Sequence, residues 1–191
     1  MDFITKQITE SLNLKKLLLE DKIIQESIKK SSDFCCKAIR NDNKILFIGN
    51  GGSAADAQHL AGELVNRFGF ERPGLSAIAL TTDSSVITSI SNDYDFEQLF
   101  SRQVQALGKK GDVLIALSTS GNSKNILAGI IEAQKSGITT IGLTGKSGGK
   151  MSGLCDLCLK VPSDDTPRIQ EAHILIGHII CSMIENSIFG K

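Results

Sequence analysis

From Lys44 to Val161 the chain alternates short runs of aliphatic and β-branched residues with segments of helix length, and few folds accept that rhythm. The runs are Ile45–Ile48, Ser76–Leu80, Val113–Leu117, Thr139–Leu143 and Leu157–Val161. Helices are predicted over Ser53–Phe68, Asp83–Ser91, Asp95–Leu107 and Ser123–Ser136, with a last one over Arg168–Ile188. Parallel neighbours need a crossover of about a dozen residues, and such crossovers lay helices on the faces of the sheet. The expected fold class is therefore α/β: five parallel strands, helices on both faces, flavodoxin-like. Asp83 and Asp95 read as helix N-caps, the second backed by Gln98.

Ahead of this body, Ile4 to Ile39 carries apolar residues at helical spacing, with a break near Asp21. Residues 1–41 thus read as a helical arm and 42–191 as the α/β body, together one structural unit. At 191 residues the chain is long enough for a single continuous core.

Two loops at strand ends are rich in serine and glycine. Gly49-Asn50-Gly51-Gly52-Ser53 follows the first strand, and Ser118-Thr119-Ser120-Gly121-Asn122-Ser123 follows the third. Glycine lets backbone approach an anion, hydroxyls donate to it, and the next helix points unpaired N–H groups at the same place. Ligands of open α/β sheets bind at the carboxyl ends of strands. A single phosphorylated ligand held from both loops is expected.

The first loop formally satisfies the dinucleotide pattern through Ala54. A dinucleotide site, however, wants an acid at the end of the second strand, where this chain has Thr81 and Thr82. Neither loop has the Gly-Lys-Ser/Thr of a P-loop, which excludes a P-loop nucleotidase. Basic and acidic residues balance at 21 each and tryptophan is absent, so neither a field nor a stacking surface for nucleic acid is present. A sugar phosphate is the better candidate. No basic start marks a leader, and no window approaches the length of apolar chain that spans a bilayer, so no membrane association and a cytoplasmic location are expected. Five cysteines, an odd number, do not form a disulfide framework. Cys155 and Cys158 have metal or redox spacing but no second pair, and read as strand packing; Cys35 and Cys36 read as helix residues.

On the helix after the first loop, His59 and Glu63 stand one turn apart on one face. On the last helix Gln170, Ile174 and His178 form an i, i+4, i+8 row, which puts two polar groups on an otherwise apolar stripe, where they need partners. His173 is off that row and reads as structural or surface, and Glu171 as solvated. Asn92 and Asp93 suit either a turn or a binding role. Gly145 to Gly149 is either a connector or a lid.

These residues carry a resemblance. Ile48 through His59 to Glu63, Ser91 to Tyr94, Ser118 to Ser123, and Arg168 through His173 to His178 resemble the phosphoheptose isomerases of the sugar-isomerase (SIS) domain family, nearly end to end. The resemblance implies isomerisation of D-sedoheptulose 7-phosphate to D-glycero-D-manno-heptose 7-phosphate, the first step towards the heptose of bacterial lipopolysaccharide. It also implies a homotetramer with active sites between subunits, the arm serving oligomerisation. One zinc per subunit would be held by His59, Glu63, Gln170 and His178. Substrate contacts carry over to Asn50, Gly51, Gly52, Ser53, Asn92, Asp93, Ser118, Thr119, Ser120 and Ser123, with Glu63 and Gln170. Some relatives have an aspartate where this chain has Pro167.

An aldose–ketose isomerisation moves a proton from one carbon to its neighbour through an enediol. Glu63 is expected as the base on the carbon-bound proton and His178 as acid or base at the oxygens. Glu63 is then both base and metal ligand, and the sequence leaves those roles open. Two alternatives share the fold: a non-catalytic scaffold that associates with the replication initiator DnaA, and an isomerase of another sugar phosphate.

Overall fold

The structure, a computed structural model, describes residues 2–190. Two helices lead, α1 Phe3–Glu20 and α2 Lys22–Arg40. They part where expected, because the Asp21 carboxylate accepts the amides of Ile23 and Ile24 and caps α2 while its own N–H closes α1 on the Leu17 carbonyl. The body then runs β1 Ile45–Gly49, α3 Gly52–Val65, β2 Ala77–Ala79, α4 Ser84–Asp93, α5 Leu99–Leu107, β3 Val113–Leu117, α6 Lys124–Lys135, β4 Thr139–Thr144, β5 Leu157–Lys160 and α7 Thr166–Phe189.

All five strands are parallel, in the order β2-β1-β3-β4-β5. The order reverses between β1 and β3, which places both serine-and-glycine loops at the switch point where such sheets bind ligands. Side chains alternate between two cores. Ile45, Phe47, Val113 and Ile115 face a core shared with α2, α3 and α7, whereas Leu46, Ile48, Leu114 and Ala116 face one shared with α5 and α6.

Two expectations about the helices change. Asp95–Leu107 is not one helix: a 3-10 turn over Phe96–Gln98 precedes α5, and Asp95 caps that turn by accepting the Gln98 amide at 3.0 Å. The second concerns α7, which contains an 18-residue window of mean hydropathy 1.4 and is, by length and composition, apolar enough to cross a membrane. Its place in the fold accounts for this. Ile169, Ala172, Ile176, Ile180 and Ile184 are buried against the sheet, α2 and α3, and a helix enclosed on that many sides is apolar around most of its circumference.

The first helix touches the body chiefly through α7, where Ser11 Oγ donates to Glu171 at 2.7 Å and Arg168 donates to the Gln7 carbonyl at 2.9 Å. Glu171 is thus partly buried and engaged, rather than solvated. Along α1, Phe3, Ile4, Ile8 and Leu12 are exposed.

Candidate active site

Helices α3 and α7 bring His59, Glu63 and His178 to one point. His59 Nε2 lies 2.8 Å from His178 Nε2 and 3.1 Å from Glu63 Oε1, and one ligand atom from each residue falls within 4.8 Å of the others. Gly177 eases the approach: a Cβ there would stand 2.5 Å from both Leu60 methyls, so a larger residue beside His178 would force the buried Leu60 or the two helices to shift. Phe68 packs its ring 5.6 Å from that of His178. His59 is half exposed and Glu63 about a quarter, so the cluster opens to a ligand.

The donor set suits a metal ion. A single Nε2 proton would have to be shared between an imidazole and a carboxylate to satisfy both contacts of His59, whereas a divalent cation accepts a lone pair from all three groups. Two histidines and one glutamate leave a tetrahedral ion one open position. Gln170 does not complete the set within its own chain. It precedes His178 by eight residues, about 12 Å along a helix, and its side chain lies against Gly52, where a Cβ would stand 2.6 Å from Nε2. The i, i+8 row places the two residues on one stripe but not at one point.

The two loops meet at the switch point. Asn50 and Asn125 exchange a pair of amide hydrogen bonds at 2.9 Å, and Asn125 also accepts the Ile126 amide, so the first loop is tied to the start of the helix that follows the second. The Asn50 side chain thus helps hold the loops together, with Asn125, which motif reading did not single out, as its partner. Gly51 takes a φ of 57° and Ser53 is buried in the first turn of α3. In the second loop Ser118 Oγ lies 3.2 Å from Ser123 Oγ, and Ser120 Oγ accepts the Asn122 amide.

Gly145 to Gly149 leads from β4 into a 3-10 turn over Gly149–Gly153, and the two together pack on the second loop. Gly145 N donates to the Thr119 carbonyl, Met151 N to the Gly121 carbonyl and Lys150 N to Asn122 Oδ1, so this segment braces the second loop. Gly121, at φ 64°, packs so closely on the Gly148 carbonyl that no Cβ fits. A polar cleft of about 300 Å³ opens here, lined by Thr119, Ser120, Asn122, Lys146, Ser163 and Thr166.

Asn92 and Asp93 close α4, are exposed, and hydrogen-bond to one another at 2.8 Å. His173 is fully buried, and among the described residues neither ring nitrogen has a hydrogen-bond partner. Burial pushes its pKa down to about 4, the nearby Thr144 carbonyl opposing only in part. Cys155 and Cys158 pack beside Gly142 as free thiols, and burial raises both, Cys155 to about 12, which leaves little thiolate for metal or redox chemistry.

Comparison with known proteins gives the family. The SIS domain family matches residues 13–145. A phosphoheptose isomerase of Burkholderia pseudomallei is 56% identical over 191 residues, covering 100% of this chain and 97% of that protein. Phosphoheptose isomerase 2 of Campylobacter jejuni is 57% identical over 189 residues, 99% of this chain and 94% of that protein. The solved phosphoheptose isomerase of Neisseria gonorrhoeae superposes with a TM-score of 0.89 at 43% identity, covering 96% of this chain and 97% of that one. The chain belongs to the SIS domain family, among its phosphoheptose isomerases.

Proposed function

We propose that the chain isomerises D-sedoheptulose 7-phosphate to D-glycero-D-manno-heptose 7-phosphate, a cytoplasmic step that supplies the heptose of lipopolysaccharide. The observation that carries this reading is the convergence of Glu63, His59 and His178 at one partly open point, in a chain whose full length matches phosphoheptose isomerases.

The substrate's carbonyl moves from C2 to C1. A proton leaves C1, a proton is delivered to C2, and one proton passes between the two oxygens; no oxidant or reductant is needed. Glu63 takes the C1 proton and returns one to C2. His178 moves the oxygen-bound proton. His59, whose Nε2 lies between the two, helps hold the carboxylate and the His178 ring at one point. Ser118, Thr119, Ser120 and Ser123 grip the phosphate, and Gly51, Gly52 and Ser53 offer backbone and hydroxyl donors to the sugar. Asn92 and Asp93 contact the sugar from an exposed helix end.

Zinc fits the three converging ligands, His59, Glu63 and His178. When bound it supplies Lewis acidity at the carbonyl oxygen and fixes the orientation of its ligands. The fourth ligand is Gln170 from a neighbouring copy, because the chain's own Gln170 is two turns too far away.

Distance also supports shared active sites. Glu63 lies eleven residues beyond Gly52, about 16 Å along α3, so the loop at the start of that helix and the triad near its end stand well apart within one copy. The loops of one copy therefore serve the triad of another. The exposed apolar residues of α1 suit residues 1–41 to hold a homotetramer together, with 42–191 as the SIS body.

A panel of ketose phosphates, with products identified by NMR and zinc measured in the purified protein, tests the proposal. Conversion of sedoheptulose 7-phosphate in preference to pentulose and hexulose phosphates is expected. Unchanged sedoheptulose 7-phosphate would overturn the reading.

A further inference from the structure

Directly behind the triad lies a buried charge pair that the proton transfers do not use. Arg72 and Glu185 are each 1% exposed at the side chain and joined from Nε to Oε1 at 3.0 Å. Desolvating such a pair costs several kcal/mol per ion, and hydrophobic replacement is often neutral or stabilising, so stability alone is a poor reason to keep one.

What the pair touches supplies another reason. Arg72 donates to the carbonyls of Glu63 at 2.9 Å and Leu64 at 2.6 Å, which belong to the last turn of α3 and lack partners within the helix. A cation at a helix C-terminus is also where the macrodipole favours it. The same guanidinium reaches the carbonyls of Asn66 and Pro73 at 3.0 Å, securing the segment beyond. Glu185, on α7 about two turns past His178, accepts the amides of Phe68 at 2.8 Å and Gly69 at 2.7 Å. Burial would raise the Glu185 carboxyl, but those two amides and Arg72 together hold it below the usual carboxylate range. It therefore stays charged. Phe68, fixed in this way, lays its ring against His178.

We infer that Arg72 and Glu185 are positioning residues for the isomerisation: they clamp the last turn of α3 to α7, set Glu63 opposite His178, and fix the plane of the His178 ring through Phe68. The inference rests on the isomerase reading above for its kinetic consequence, though not for its geometric one. A displacement of about 1 Å at a reacting group costs up to about 100-fold in rate.

The test is the double variant Arg72→Met/Glu185→Leu, which removes both charges and leaves neither stranded. Its expected profile is a melting temperature near the parent's, an unchanged KM, because the phosphate loops lie elsewhere, and a kcat lowered about 10- to 100-fold. The ¹⁵N shifts of the His59 and His178 rings, read without substrate, should move as their 2.8 Å contact changes. A folded double variant with the parent's kcat overturns the inference. If the parent itself isomerises nothing, the isomerase reading fails and the imidazole shifts alone decide, with unchanged shifts overturning the clamp. Should the double variant not fold, Arg72→Lys keeps the charge opposite Glu185 but loses the fork to the α3 carbonyls. It is expected to fold with reduced kcat, and full kcat in it would equally overturn the inference.

Discussion

Acidification from pH 7 to pH 4 should destabilise the fold through His173. The ring is fully buried, and its pKa is held near 4 by desolvation, against 6.5 when solvated. Between those values the unfolded chain binds a proton that the folded chain refuses, so stability rises with pH across the window and is lost as pH falls through it. The difference of two and a half units corresponds to about 3 kcal/mol, a large share of the 5–15 kcal/mol that holds a typical domain. Urea unfolding at fixed chain concentration, repeated from pH 7 to pH 4, measures it. Comparison with His173→Leu isolates the contribution, because the variant keeps every other titrating group. Glu185, whose carboxyl is depressed, loses its contribution only as pH falls through its folded pKa, and does so in both proteins. The parent should lose about 3 kcal/mol more than the variant over this range. Parallel pH profiles would refute the argument and mean that His173 finds a partner for its charge.

Other consequences follow from the packing and the loops. Gly177→Ala places a methyl against Leu60, which is itself 1% exposed, and should cost about 1–3 kcal/mol of stability as overpacking does. It should also lower kcat by pushing His178 away from His59; a variant with parental melting and turnover would show that the helices have slack. Ser118→Ala with Ser120→Ala should chiefly raise KM, since each hydroxyl holds the phosphate in ground and transition states alike. Steady-state kinetics showing a drop confined to kcat would argue against anchoring.

Much of this architecture was legible because its signals are local. Apolar runs bounded by glycine-rich turns marked the strands, and Asp21 marked the break between α1 and α2 through its capping chemistry. His59 and Glu63 were readable as a pair because one helical turn fixes their relation. Gln170 shows the limit of that reasoning, since helical spacing reports a shared stripe and says nothing of distance along it. The expectation that no stretch is long and apolar enough to span a bilayer failed at α7, because a helix enclosed by a sheet and two other helices becomes as apolar as a membrane span. Asn125 and Arg72 carried no signal, their partners lying across the fold at Asn50 and at Glu185. Glu185 did carry one: an acid beside Ile184 on the buried row of an apolar helix needs a buried cation.

The account turns on Glu63 and His178 as the groups that move protons. Glu63→Gln and His178→Gln, each assayed by NMR on sedoheptulose 7-phosphate, should lower turnover at least about 100-fold, the scale of general acid–base catalysis. Calorimetric binding of the same sugar phosphate should weaken by less than about tenfold. Turnover close to the parent's in either variant would contradict the account and remove that residue from the chemistry.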